Sequence, residues 1–310
     1  VQENLFHVYI RLGKFSEAQR TAMALNKKRA APMYQAWIVM SMLAQVPADA
    51  SDHLLLKLST KLLESGVMTA PATTTMDMCK TYVDVLTQQG RLDDALAYIT
   101  GPQGFHLGLI ERRLQLCRDV LLRQGRLKTA CAVALTLWKC NSDNWDPFLW
   151  YINAVTDEKT LSSTDSEPIT FLPKDQSEAN VIVSPCVDLS LDAVLQVSKE
   201  LQAVEITSRP SKKRRGPFLA ELETLSRMKA TDVFAEAAVT YAEHFCCKPV
   251  CFMDLSTYVY NIPDVRQRIV RHLETKVAAA ASGVALHHVT SLCLRLAALD
   301  DDANEQLLIT

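Results

Sequence analysis

A glycine, a basic residue, a large apolar residue, two variable positions and an alanine recur three times in this chain. The copies are Gly13-Lys14-Phe15-Ser16-Glu17-Ala18, Gly90-Arg91-Leu92-Asp93-Asp94-Ala95 and Gly125-Arg126-Leu127-Lys128-Thr129-Ala130. Each sits between two stretches of apolar residues at helical spacing, as in the arms Leu116, Val120, Leu121 and Leu127, Ala130, Ala134, Leu135, Trp138. Glycine supplies the positive φ that reverses the chain between helices. The alanine five residues on lets the second helix pack close to the first. Gly90 and Gly125 stand 35 positions apart, near the ~34-residue tetratricopeptide period. The 77 positions from Gly13 to Gly90 leave room for one divergent hairpin. Tyr34, Trp37, Ile38 and Met42 would line one of its helices, and Leu54, Leu58, Leu62 and Leu63 the other. The expected fold is all-α, a right-handed α-solenoid of tetratricopeptide-like repeats.

Composition agrees with helix. Apolar residues make up 48%, with only nine glycines and twelve prolines in 310 residues. Strand signals are confined to Asn180–Val183 and Pro249–Phe252. A net charge of −2 argues against a protein that binds polyanions through its whole surface, though not against a local basic patch. No run of 18 uncharged apolar residues is available to span a membrane. The nine cysteines are odd in number and scattered, mostly on apolar helix faces. Without a signal peptide they suggest a reducing compartment, cytosol or nucleus. The chain starts within a helical pattern and ends without an evident terminal cap, so a longer parent protein is expected.

Three segments follow. Residues 1–155 read as the repeat array, with helix caps or near-caps at Ser16, Ser51 and Asp146 and a connector over Gly101–Gly108. Residues 156–190 carry seven acids against Lys159 and Lys174, a net −5, and read as a flexible acidic insertion. Residues 191–310 return to helical repeats. Between them lies a basic cluster, Arg209, Lys212, Lys213, Arg214 and Arg215. It is open to three readings: a solvated loop, a patch for ribosomal RNA or an acidic protein surface, or a nuclear-import signal.

Reactive constellations are missing from the sequence: there is no G-x-S-x-G elbow, H-E-x-x-H pair or P-loop. His244, Cys246, Cys247 and Cys251 invite a zinc reading, but no second spaced pair accompanies them, and a helix end with buried thiols is favoured. His287-His288 reads as packing or surface rather than a dyad, and the four tryptophans as core. Such a chain is a scaffold.

Two motifs carry a resemblance. Gly216-Pro217-Phe218-Leu219-Ala220-Glu221-Leu222 and Lys248-Pro249-Val250-Cys251-Phe252-Met253-Asp254-Leu255 resemble the auxiliary, tetratricopeptide subunit of the NatB N-terminal acetyltransferase complex. Leu5–Leu25, Tyr34–Leu43 and Asn141–Trp145 look like that family too, while 156–190 departs from it. The resemblance implies a non-catalytic, cytoplasmic scaffold that forms a heterodimer with a catalytic acetyltransferase subunit, at or near the ribosome. It implies acetylation of chains beginning Met-Asp, Met-Glu, Met-Asn or Met-Gln, with acetyl-CoA on the partner and no cofactor, metal or small-molecule substrate here. None of the nine glycines has Arg or Gln three residues before it, so the pyrophosphate loop of that enzyme class is not in this chain. The partner-docking residues it suggests are Arg214, Arg215, Gly216, Pro217, Phe218, Leu219, Lys248 and Phe252. Intramolecular packing is the competing reading for both segments. A generic tetratricopeptide adaptor, or the auxiliary subunit of a sister acetyltransferase, are the alternative functions.

Overall fold

Gly13, Gly90 and Gly125 take φ values of +67°, +74° and +75°, the left-handed region expected of them. A side chain at any of the three would meet nothing within 4 Å, so backbone conformation rather than space requires glycine. They separate α1 (Gln2–Arg11) from α2 (Phe15–Lys28), α5 (Thr75–Gln88) from α6 (Leu92–Thr100), and α7 (Ile110–Gln124) from α8 (Leu127–Cys140). Between the first two pairs lie α3 (Pro32–Leu43) and α4 (Leu54–Val67).

The three junctions close identically. The amide of the basic residue donates across the glycine turn: Lys14 to Tyr9 O at 2.9 Å, Arg91 to Leu86 O at 2.9 Å, Arg126 to Leu121 O at 3.0 Å. Each glycine amide bonds three residues back, completing a Schellman cap. The same basic residue then starts the next helix through its carbonyl, which accepts from Ala18, Ala95 or Ala130 at 3.0–3.1 Å. Those three alanines are fully buried. The base is therefore the last cap residue of one helix and the first of the next.

This is a computed structural model in which residues 2–48, 50–67, 75–165, 167–173, 180–185, 189–208, 214–279 and 287–299 are described. Two compact units emerge, Val1–Leu137 with Ser162–Cys186, and Trp138–Leu161 with Val187–Thr310. In the first unit each helix from α1 to α6 packs on its successor, the topology of stacked hairpins. Phe6 stacks flat on Trp37, centroids 4.2 Å apart, over a floor of Ala18, Ala22, Ile38 and Met42. The Gly101–Gly108 connector forms a 3-10 turn over Pro102–Leu107.

Part of the acidic segment expected to be flexible belongs to this unit. Among its described residues are two strands, β1 (Ile169–Phe171) and β2 (Val181–Val183), paired antiparallel with Thr170 opposite Ile182. Ile169, Phe171 and Val183 are buried, and the Leu172 amide donates to Thr100 O at 2.8 Å. Asp165 reaches the first turn of α8, accepting from the Lys128 and Thr129 amides at 3.1 and 2.7 Å and from the Thr129 hydroxyl at 2.6 Å. Acidity of the segment thus has a local use: a carboxylate at a helix N-terminus.

The second unit holds α9 (Trp145–Ala154), most of α10 (Glu158–Ser162), α11 (Leu191–Ser208), α12 (Gly216–Met228), α13 (Thr231–Phe245), α14 (Cys251–Val259), α15 (Pro263–Ala279) and a helix over 287–299. Phe218, Leu222, Leu225, Phe234, Tyr241, Phe245, Leu255, Ile269 and Leu296 belong to one continuous core. The turn from α12 to α13 repeats the junction motif in disguise. Lys229 takes φ +54°, the Ala230 amide donates to Leu225 O at 3.3 Å, and Ala230 O accepts from Phe234 at 2.8 Å.

Local expectations needed correction. The Pro249–Phe252 strand signal is where α14 begins, because Val250 and Cys251 already bond helically toward Asp254 and Lys248. The caps proposed at Ser16, Ser51 and Asp146 do not form. Ser16 lies inside α2 and donates to Gln45 Oε1 at 2.9 Å. At α4 the His53 imidazole Nδ1 accepts from the Leu55 amide at 3.2 Å instead of Ser51. At α9 the cap position is Asn144, and its side chain makes no cap bond.

Candidate functional site

The two motifs singled out in the sequence meet in the second unit. The Arg215 guanidinium, at the start of α12, pairs with the Asp254 carboxylate on α14, and the Tyr241 hydroxyl on α13 donates to the same Asp254 oxygen. Burial alone would lower the pKa of Arg215, but the Asp254 charge outweighs it and lifts the value. Burial, then Asp254, push the Tyr241 hydroxyl far above its usual range. Cys251, one turn before Leu255, is buried and its thiol is pushed up to about 12 by burial, then by nearby Cys246 and Asp254. Such a thiol is no nucleophile at neutral pH.

The start of α12 is held by a segment far away in sequence. The Gly216 amide donates to Asp143 Oδ1 at 2.9 Å. A Cβ on Gly216 would stand 1.7 Å from Ser142 O, so only glycine fits. Trp138 Nε1 donates to that same carbonyl at 3.2 Å, and its ring packs 4.9 Å from Phe148. From the other side Gln202 on α11 donates to Glu221 Oε2 at 2.7 Å and to Pro217 O at 3.2 Å.

Gly216, Pro217 and Phe218 are buried, Phe218 packing edge-on to Phe245 at 5.2 Å. Arg214, Arg215, Leu219 and Phe252 are half-buried, and Lys248 is exposed, with its ammonium 4.8 Å from the centre of the Phe245 ring. Arg209, Lys212 and Lys213 lie outside the described residues. A cleft of about 440 Å³ opens beside the Arg215–Asp254 pair, walled by Asp143, Trp145, Leu219 and Tyr258. Its polar walls are occupied by internal bonds, leaving a shaped rim suited to contact rather than to covalent chemistry. The sequence reading missed Tyr241, Gln202 and the Trp138–Ser142 support. Asn141–Trp145 was the one available signal for the last of these.

Two family profiles cover the chain. Residues 1–155 match the N-terminal TPR repeats region of Psidin, and residues 145–303 match the N-acetyltransferase B complex (NatB) non catalytic subunit. The chain belongs to the NatB non-catalytic subunit family. Relatives are similar at a distance. The human N-alpha-acetyltransferase 25, NatB auxiliary subunit, is 26% identical over 273 residues, 84% of this chain and 27% of the relative. The Arabidopsis thaliana N-terminal acetyltransferase B complex auxiliary subunit NAA25 is 23% identical over 298 residues, 94% of this chain and 28% of the relative. The chain therefore spans about a quarter of the length of these NatB relatives. A solved structure described as Naa15/Naa10 bound to HypK-THB shares the fold, with a TM-score of 0.62 and 14% identity over 98% of this chain and 42% of that one. The all-α fold is thus shared with the matched chain of that Naa15/Naa10 structure. No helix among the described residues is long and apolar enough to cross a membrane.

Proposed function

We propose that this chain is part of a scaffold that binds and positions the catalytic subunit of the NatB N-terminal acetyltransferase. Acetyl-CoA and the reacting atoms belong to that partner. The complex would acetylate nascent chains beginning Met-Asp, Met-Glu, Met-Asn or Met-Gln, in the cytoplasm and close to the ribosome. The single observation that carries this reading is the match of residues 145–303 to the NatB non catalytic subunit profile.

Stacked hairpins suit the task, since broad surfaces made by many helices hold a partner without chemistry of their own. The docking residues are the solvent-facing parts of the two motifs: Arg214, Arg215 and Leu219 on one side, Lys248 and Phe252 on the other. Gly216, Pro217 and Phe218 support them from beneath.

The test is co-purification of the tagged chain with the NatB catalytic subunit. Leu219→Asp and Lys248→Glu should each weaken recovery of the partner at least fivefold while helical circular dichroism is retained. Undiminished recovery by a folded variant removes that residue from the surface. If the purified complex acetylates peptides with small first residues and ignores Met-Asp, the sister-enzyme reading replaces this one.

A further inference from the structure

A second cleft of the second unit borders this surface and shares Lys248 and Phe252 with it, between the α13–α14 turn and the 287–299 helix. It is about 230 Å³ in volume. Lys248, His287, His288, Ser291 and Arg295 supply its polar wall, and Phe252 part of its apolar one. No acidic residue is among the described residues that line it. His287, Ser291 and Arg295 are spaced four apart and so share one face of their helix, turned to the cleft.

The two permanent cations are held by rings. The Lys248 ammonium lies 4.8 Å from the centre of Phe245, and the Arg295 guanidinium 5.7 Å from the centre of Phe252. A cation resting on an aromatic face has already lost much of its rotamer freedom, so less is lost when it meets an anion. Stacked in this way, a guanidinium still presents its edge donors.

We propose that this cleft binds a phosphate monoester, the phosphorylated serine or threonine of a protein partner. Charge complementarity selects an anion. The donors of Lys248, Arg295, Ser291 and the two imidazoles outnumber the roughly four lone-pair sites of a carboxylate and suit the three oxygens of a phosphoryl group. At about 30 Å³ per water the volume equals seven or eight waters. That is room for one phosphoryl group on a short stem. RNA is disfavoured because the faces of Phe245 and Phe252 are already taken by cations, leaving no platform for a base. The site stands independently of the acetyltransferase reading.

The experiment uses the 310-residue chain and an acetylated Ala-Ala-phosphoserine-Ala-Ala peptide, followed by calorimetry and by the imidazole resonances of His287 and His288. Binding should be at least tenfold tighter than for the same peptide with serine or glutamate. It should fall at least tenfold in K248A/R295A and about threefold in S291A. Equal binding of the phosphorylated and unphosphorylated peptides overturns the proposal, as does a decauridine that binds more tightly than the phosphopeptide. Should the double variant lose its helical signal, the wild-type chain decides: shifts of both imidazoles on phosphopeptide addition support the site, and their absence overturns it. Loss of phosphopeptide binding in R295A, a residue outside the docking surface, with intact co-purification of the catalytic subunit separates this site from that surface.

Discussion

Arg113 donates to the carbonyl oxygen of Ile99 twice, through Nε at 3.0 Å and Nη2 at 2.8 Å. The same guanidinium reaches Thr100 O and Gly101 O at 3.2 Å and Leu172 O at 3.0 Å, and sits over the Phe171 ring. It is 5% exposed, and burial lowers its pKa. It serves as the counter-charge for the end of α6, whose last carbonyls carry the negative pole of the helix. It also ties the β1–β2 hairpin to that end. Replacing it with methionine should cost about 3 kcal/mol, since several buried carbonyls lose their donor at ~1 kcal/mol or more each. Lysine should recover less than half of that, having no planar fork. Urea midpoints of the three proteins check the ranking.

Lys229 occupies the position that glycine holds at the other junctions. Lys229→Gly should stabilise the chain by about 1 kcal/mol, because a non-glycine residue in the left-handed region carries strain of that order. Gly125→Ala should cost about 1 kcal/mol for the same reason, with no clash involved. Paired thermal melts decide, and a destabilised Lys229→Gly protein would remove strain as the cause.

Gly216→Ala is a steric test. Its Cβ would meet the Ser142 carbonyl, which cannot retreat without losing the Trp138 bond. The expected loss is about 3 kcal/mol, the upper end of overpacking costs. Red-shifted Trp138 fluorescence should accompany it.

Burial alone would raise the Asp165 pKa. Hydrogen bonds from Ser163, from the Thr129 hydroxyl and from two α8 amides outweigh it and hold the value at about 2. An unfolded aspartate titrates near ~3.9. The stabilising contribution is therefore complete above that pH and disappears as pH falls from about 4 to about 2. Asp165→Asn should cost about 1 kcal/mol at pH 7 and flatten the dependence of melting temperature on pH between 4 and 2. An unchanged slope would sink the assignment.

Much of the architecture could be read from three glycines, because a left-handed turn between helices names its residue. Lys229 escaped for the same reason: nothing marks a lysine as left-handed. Arg113 is one of four arginines on α7, and only the tertiary fold reveals the carbonyls it serves. Strand β2 falls on the Asn180–Val183 signal, whereas its partner β1 is three residues long, too short for an alternating pattern to stand out. At the candidate site the Gly216-Pro217-Phe218 motif was legible as a unit. Its partners Asp143, Gln202 and Tyr241 come from three other elements that no local spacing connects.

The double role of Lys14, Arg91 and Arg126 makes these junctions intolerant of length change. Deleting or adding one residue there would turn the next helix by about 100° about its axis relative to the one before, one residue's share of a 3.6-residue turn. Buried faces such as that of Ala18 and Ala22 would swing toward water. Natural variation in this family should therefore place its insertions elsewhere, in stretches such as 44–48, where the chain leaves α3 without sharing a cap with the next helix.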